Sequence, residues 1–148
     1  MPVISFVSPK GGVGKTTTAI NLAAGLVELG AKVLLIDLDP QGNASTGLGI
    51  APDARRATTY DILIEDRPVT EVIQLTEIDN LLICPANSDL ASADIDLVAN
   101  EKRIFLLHDA LRAMAGASTQ ISALDTFVPW LALRRLPGVG VKSAQRMA

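Results

Sequence analysis

Eight consecutive residues, Lys10-Gly11-Gly12-Val13-Gly14-Lys15-Thr16-Thr17, have the types and spacing that phosphate chemistry asks for. Glycines let backbone N–H groups converge on phosphate oxygens with no Cβ in the way. A helix opening directly behind such a loop adds unpaired N–H donors and the positive end of its dipole. Lys15 would neutralise charge on the β- and γ-phosphates of a nucleotide. The Thr16 hydroxyl could ligate Mg²⁺. The plain alternative is an ordinary glycine turn before a helix. A second candidate pair, Asp37 and Asp39, ends an apolar run, and α/β sheets bind ligands at the carboxyl ends of their parallel strands. The alternative there is a strand-end turn with solvated carboxylates.

These residues need elements to hold them. Val3–Val7 is apolar and β-branched and reads as a buried strand. Thr16–Leu29 has helical spacing, with Ile20, Ala23, Ala24 and Val27 on one face and Gly30 at the C-cap position. Lys32–Asp37 is a second strand. Together they form a β-loop-α-β unit with parallel strands. Pro40–Pro52, rich in Gly and Asn, reads as loop. Thr58 or Thr59 caps a short helix through Ile64, and Val69–Leu75 reads as another. Leu81–Cys84 is a third strand, and Asp89–Val98 and Lys102–Met114 read as helices. Ala115–Ser122 is small and polar, like a linker. Ala123–Leu133 is apolar but broken by Pro129.

Composition narrows the class. The chain has 148 residues, 49% of them hydrophobic and 20% charged, with mean hydropathy +0.34, which excludes a disordered polymer and suggests one domain. Its apolar content is aliphatic, with 3% aromatics, as suits a Val/Ile/Leu parallel sheet covered by helices. One cysteine, Cys84, excludes a disulfide framework and a multi-Cys zinc site; it reads as a buried thiol. No apolar run is long enough to span a membrane and no secretory signal is visible, so a cytoplasmic location is expected. The net charge of −3 is uneven. Residues 1–114 carry nine Lys+Arg against fifteen Asp+Glu, and residues 115–148 carry four against one, a sign change that suggests two segments of different origin.

The glycine loop departs from the standard phosphate-loop pattern in one respect. Where the pattern has glycine six residues before its lysine, Pro9 stands here, and a second lysine, Lys10, lies five before Lys15. With this signature lysine the chain resembles the ParA/MinD family of partition ATPases, in its Soj-type branch. The resemblance continues in Leu34–Gly49 (LLIDLDPQGNASTGLG) and in Asp89–Leu111, and covers about residues 2–112. It implies an α/β P-loop NTPase fold of the deviant Walker A type, a parallel sheet with flanking helices. It implies ATP and Mg²⁺ as cofactors. Gly11, Gly12, Val13, Gly14, Lys15, Thr16 and Thr17 would cradle ATP. Thr16 and Asp37 would hold Mg²⁺, Asp39 would orient the attacking water, and Lys10 would reach the phosphates of a dimer partner's nucleotide. The implied cycle is ATP-dependent homodimerisation, non-specific DNA association and slow hydrolysis stimulated by a centromere-binding ParB-like activator. Association with the nucleoid is then possible. A membrane role of the MinD kind is not expected, because Ser143–Ala148 is too short for a basic amphipathic anchor.

The family's third strand, ending in an Asp-x-Pro-Pro turn beside the P-loop strand, is not evident after Arg112. Ile121–Asp125 imitates it faintly, without the prolines. Three strands are therefore expected, in a truncated domain with impaired hydrolysis. Leu131–Ala148 (LALRRLPGVGVKSAQRMA) resembles instead the helix-hairpin-helix of the recombination mediator RecR. Gly138 and Gly140 would there open backbone N–H groups toward a DNA phosphate, with Lys142 adding charge. The expected organisation is a partial P-loop domain over residues 1–114, a junction over 115–130 and a helix-hairpin-helix-like fragment over 131–148. Two other readings remain: a small DNA-binding module working through the tail, and a mis-joined fragment without function.

Overall fold

The computed structural model describes residues 3–8, 10–103, 105–117 and 127–134, the last as backbone. Among the described residues five strands form one sheet. In chain order the elements are β1 (Val3–Val7), α1 (Lys15–Glu28), β2 (Lys32–Leu38), α2 (Asn43–Gly47), a 3-10 turn (Pro52–Ala54), α3 (Thr59–Ile64), α4 (Val69–Val72), β3 (Gln74–Leu75), β4 (Leu81–Cys84), α5 (Leu90–Asp96), α6 (Leu106–Ala117) and β5 (Phe127–Arg134). The sheet order is β1-β5-β2-β4-β3. All neighbours are parallel except β3, which pairs antiparallel with β4 at the edge.

Strand β2 shows why the fold has two apolar layers. All its residues after Lys32 are buried, so the strand has no solvent-exposed face. Val33 and Leu35 face one layer, with Ala19 and Ala23 of α1 and Leu81 and Ile83 of β4. Leu34, Ile36 and Leu38 face the other, with Ile62, Leu63, Val69, Val72, Leu90 and Met114 from α3 to α6. Ala19 and Ala23 are small enough to bring α1 close to the sheet. The same closeness appears between helices: a Cβ on Gly47 of α2 would lie 2.8 Å from Ile20 Cδ1 of α1. Helix α3 starts as its sequence predicts. Thr58 is the N-cap of a capping box closed by Asp61.

Four expectations are corrected. The stretch Pro40–Pro52 contains helix α2 and the start of a 3-10 turn. The helix expected over Val69–Leu75 stops at Val72 and gives way to β3. The sheet has five strands rather than three. Most consequential, Phe127–Arg134 forms β5, inserted between β1 and β2 where no strand was expected. Leu131–Arg134, the first residues of the segment that resembles a helix-hairpin-helix, are the last residues of this strand.

Pro129 did not prevent this pairing, and the register explains why. Lys32 pairs with Phe127 and Leu34 with Trp130, so β5 spends one more residue than β2 over that step. Pro129 falls within this irregularity, where a missing N–H breaks no ladder bond. Pairing with β1 begins only at Trp130, opposite Val3.

Candidate nucleotide-binding site

The glycine loop joins β1 to α1. Gly12 (φ +71°) and Gly14 (φ +84°) occupy the left-handed region that glycine tolerates without strain. Gly14 is also the N-cap of α1. No side chain caps this helix, and its first turn contains no acid. The backbone donors of Lys15, Thr16 and Thr17 therefore open onto the loop. The Lys15 side chain folds back over it, donating from Nζ to the Lys10 carbonyl at 2.8 Å. Ser8 steadies the other side of the turn, its Oγ accepting the Lys10 N–H at 3.2 Å.

Facing this loop is the segment that leaves β2. A cavity of about 420 Å³ lies between them, lined by Gly11–Thr17 on one wall and by Asp39, Gln41 and Asn43 on the other. Asp39 is half-buried. Its Oδ1 accepts the Gln41 N–H at 3.0 Å and its carbonyl accepts the Gly42 N–H at 2.8 Å. Asp39 thus sits in a tight turn whose carboxylate still borders the cavity.

Asp37 is placed differently. It is 0% exposed and does not line the cavity. One carboxylate oxygen accepts the Asp39 N–H at 3.1 Å. The other accepts from Ser45 twice, from its N–H at 3.0 Å and its hydroxyl at 2.7 Å. The Ser45 hydroxyl in turn accepts the Ala86 N–H at 3.0 Å. This chain of bonds ties the end of β2 to α2 and to the exit of β4. Thr59 adds a second tie, donating its hydroxyl to the Asp37 carbonyl at 2.6 Å and its N–H to the Pro85 carbonyl at 2.8 Å.

Burial raises the Asp37 carboxyl above its ordinary value of 3.8, and the bonds from Ser45 and Asp39 pull it only part of the way back. The native state therefore holds this proton to higher pH than the unfolded chain does. Its contribution to stability is full below the unfolded value and is lost as pH rises through the native one. In urea unfolding, the stability of the chain relative to an Asp37→Asn variant should fall from acid toward neutral pH and then level off. A difference that grows with pH would contradict this.

The structure thus brings Gly11–Thr17 together with Asp39. It leaves Lys10 exposed on the outer side of the loop and Asp37 beneath the site. Gly138, Gly140 and Lys142 lie outside the described residues. Gln41, Asn43, Ser45 and Arg55 were not anticipated. The turn residues Pro40-Gln41-Gly42-Asn43 were a signal for the first two; nothing local marks the others.

The loop fits a nucleotide polyphosphate by its own geometry, since uncapped helix donors, left-handed glycines and a lysine surround one cavity. Mg²⁺ fits as well. Among the described residues no group of three His, Cys, Asp or Glu could enclose a metal ion. Mg²⁺ asks for less, because it keeps several waters and binds through one or two protein groups plus phosphate oxygens. The register places the end of β5, Arg134, level with Val7 and Leu38 at the carboxyl edge of the sheet. β5 itself contains no acid.

A family model described as an AAA domain matches residues 1–122. The chain belongs to this family. Its N-terminal part is similar to the chromosome partitioning protein ParA of Myxococcus xanthus, 50% identical over 114 residues, which are 77% of this chain and 40% of that protein. Among solved structures it is similar to cobyrinic acid a,c-diamide synthase from Mycobacterium smegmatis with bound ATP analog and magnesium. There the TM-score is 0.77 at 32% identity, covering 90% of this chain and 50% of the other. A plasmid partition protein from Borrelia burgdorferi gives 0.69 at 28%, covering 99% and 61%. This AAA-domain chain therefore has the P-loop fold of its relatives while spanning about 40% of the length of the curated protein above. A second model, the helix-hairpin-helix of RecR, matches residues 131–148. Its first four residues are the end of β5 here. Among the described residues no helix is long and apolar enough to cross a membrane.

Proposed function

We propose that this chain binds ATP with Mg²⁺ and works as the nucleotide-binding part of a partition-type ATPase in chromosome or plasmid segregation. The observation that carries this is the cavity between Gly11–Thr17 and the Asp39–Asn43 turn. Gly11–Gly14 and the first turn of α1 hold the phosphates, and Lys15 neutralises them. Thr16 would hold Mg²⁺ through its hydroxyl. Asp37 would help hold the metal and its waters, through the Asp39 turn that it anchors. Asp39 orients the attacking water. The exposed Lys10 reaches the nucleotide of a second copy, so binding drives homodimerisation, and the dimer associates with DNA on the nucleoid in the cytoplasm. A ParB-like activator fits the same reading. Turnover is slow, because β5, Phe127–Arg134, contains no acid that could hold the metal.

Lys10→Ala tests the dimer. The variant should keep nucleotide affinity within about threefold, since Lys10 lies outside the cavity. It should fail to dimerise when ATP and Mg²⁺ are added, as read by sedimentation. A variant that still dimerises removes this role from Lys10.

The match of residues 131–148 to the RecR helix-hairpin-helix supports a second reading, a small phosphate-contacting DNA module. Salt-dependent DNA binding that survives Lys15→Ala and disappears on removal of residues 135–148 would favour it. That cut spares β5, which removal of Leu131–Arg134 would not.

A further inference from the structure

We propose that Arg55 is a positioning residue that holds the Asp39–Asn43 wall of the cavity in place. The inference rests on the nucleotide reading above and deepens it. Arg55 follows the 3-10 turn and is half-buried. Among the described residues it has no carboxylate partner. Its guanidinium instead serves four neutral oxygens. Nε and Nη2 donate to the Ile50 carbonyl at 3.1 and 2.9 Å. Nη2 also reaches the Thr46 hydroxyl at 2.7 Å and the Gly42 carbonyl at 3.4 Å. Nη1 donates to the Ala86 carbonyl at 3.0 Å.

These acceptors define what is held. Gly42 is the N-cap of α2, Thr46 lies in its last turn and Ile50 ends the loop behind it. Ala86 belongs to the segment leaving β4, the same residue whose N–H is bound by Ser45. One planar fork thus fixes both ends of a five-residue helix to the sheet edge. That helix is made of Asn-Ala-Ser-Thr-Gly, too short and too poor in helix formers to persist alone. Gln41 and Asn43, on the cavity wall, are the chain neighbours of Gly42. Space around Gly42 is shaped to the same contact. It has φ +61°, and a Cβ there would collide with the Arg55 guanidinium and lie 2.8 Å from the Ala86 carbonyl. Lysine cannot substitute, since a single ammonium carries three donors at one point and cannot span oxygens arranged around a fork.

The test uses the full chain with Arg55→Lys and Arg55→Ala. Amide hydrogen exchange in the free protein should quicken by about tenfold or more at Thr46, Leu48 and Ile50, while the amides of α1 and β4 stay unchanged. ATP affinity without Mg²⁺, set by the glycine loop, should stay within about twofold. The gain in affinity that Mg²⁺ confers should shrink by about fivefold or more, and millimolar guanidinium ion should restore it in the alanine variant. Unchanged exchange at those amides overturns the proposal. So does a general loss of protection with equal loss of affinity with and without Mg²⁺ and no rescue, which marks an ordinary structural arginine. If the unaltered chain binds no nucleotide, the functional reading fails, and the exchange result alone decides whether Arg55 holds this segment.

Discussion

Lys15→Ala should weaken ATP binding by about 100-fold or more, measured as the dissociation constant of a fluorescent ATP analogue with Mg²⁺. The argument is local. Among the described residues Lys15 is the only side-chain cation that lines the cavity. Its ammonium already lies against the loop, 2.8 Å from the Lys10 carbonyl, so little ordering is needed to bring it to a phosphate. Charge-assisted hydrogen bonds contribute about 1.5–3 kcal/mol each, and a polyphosphate left without its cation loses at least one. The remaining backbone donors at Gly14 and the first turn of α1 explain why residual binding should persist at high ligand concentration. The variant should melt with the unaltered chain, because Lys15 makes no buried contact that the fold needs. A variant with native affinity would remove the loop from the binding site.

Asp37→Ala should destabilise the chain by about 3–4 kcal/mol, read from the urea midpoint. The carboxylate accepts three hydrogen bonds in the interior, from the Asp39 N–H, the Ser45 N–H and the Ser45 hydroxyl. Removing it leaves the buried Ser45 N–H without an acceptor, at about 1–3 kcal/mol, and the half-buried Asp39 N–H at less, while the hydroxyl must find another. Part of this is offset, because an ionised group with a raised pKa is itself costly to bury. The effect should also spread. Ser45 loses its anchor while still tied to Ala86, so α2 loosens and the Asp39 turn goes with it. A loss below about 1 kcal/mol would mean that water fills the site and satisfies the donors.

The β1-α1-β2 unit was legible because its signals are local and agree. Val3–Val7 and Lys32–Leu38 are largely apolar runs, α1 has one small-residue face, and left-handed glycines, Gly14 and Gly30, stand at both ends of α1. Gly11–Thr17 and Asp39 could therefore be placed from sequence alone. Helix α2 could not. Its residues favour turns, and it is helical because Asp37 and Arg55 reach it from positions distant in sequence. Strand β5 was hidden for a related reason. Pro129 argues against a strand, and only pairing with two parallel neighbours, with an irregularity at the proline, makes one. Ser45 and Arg55 carry no motif, since their importance lies in which oxygens the fold brings to them.

The claim that the glycine loop and the Asp39 turn form one phosphate site is tested most directly by residue-resolved NMR. Backbone amide shifts of the full chain would be followed while ATP and Mg²⁺ are added. The expected result is saturable change concentrated at Gly11–Thr17 and at Asp39, Gln41 and Asn43, the two walls of the cavity. No change at either wall, or change confined to residues 135–148, would contradict it.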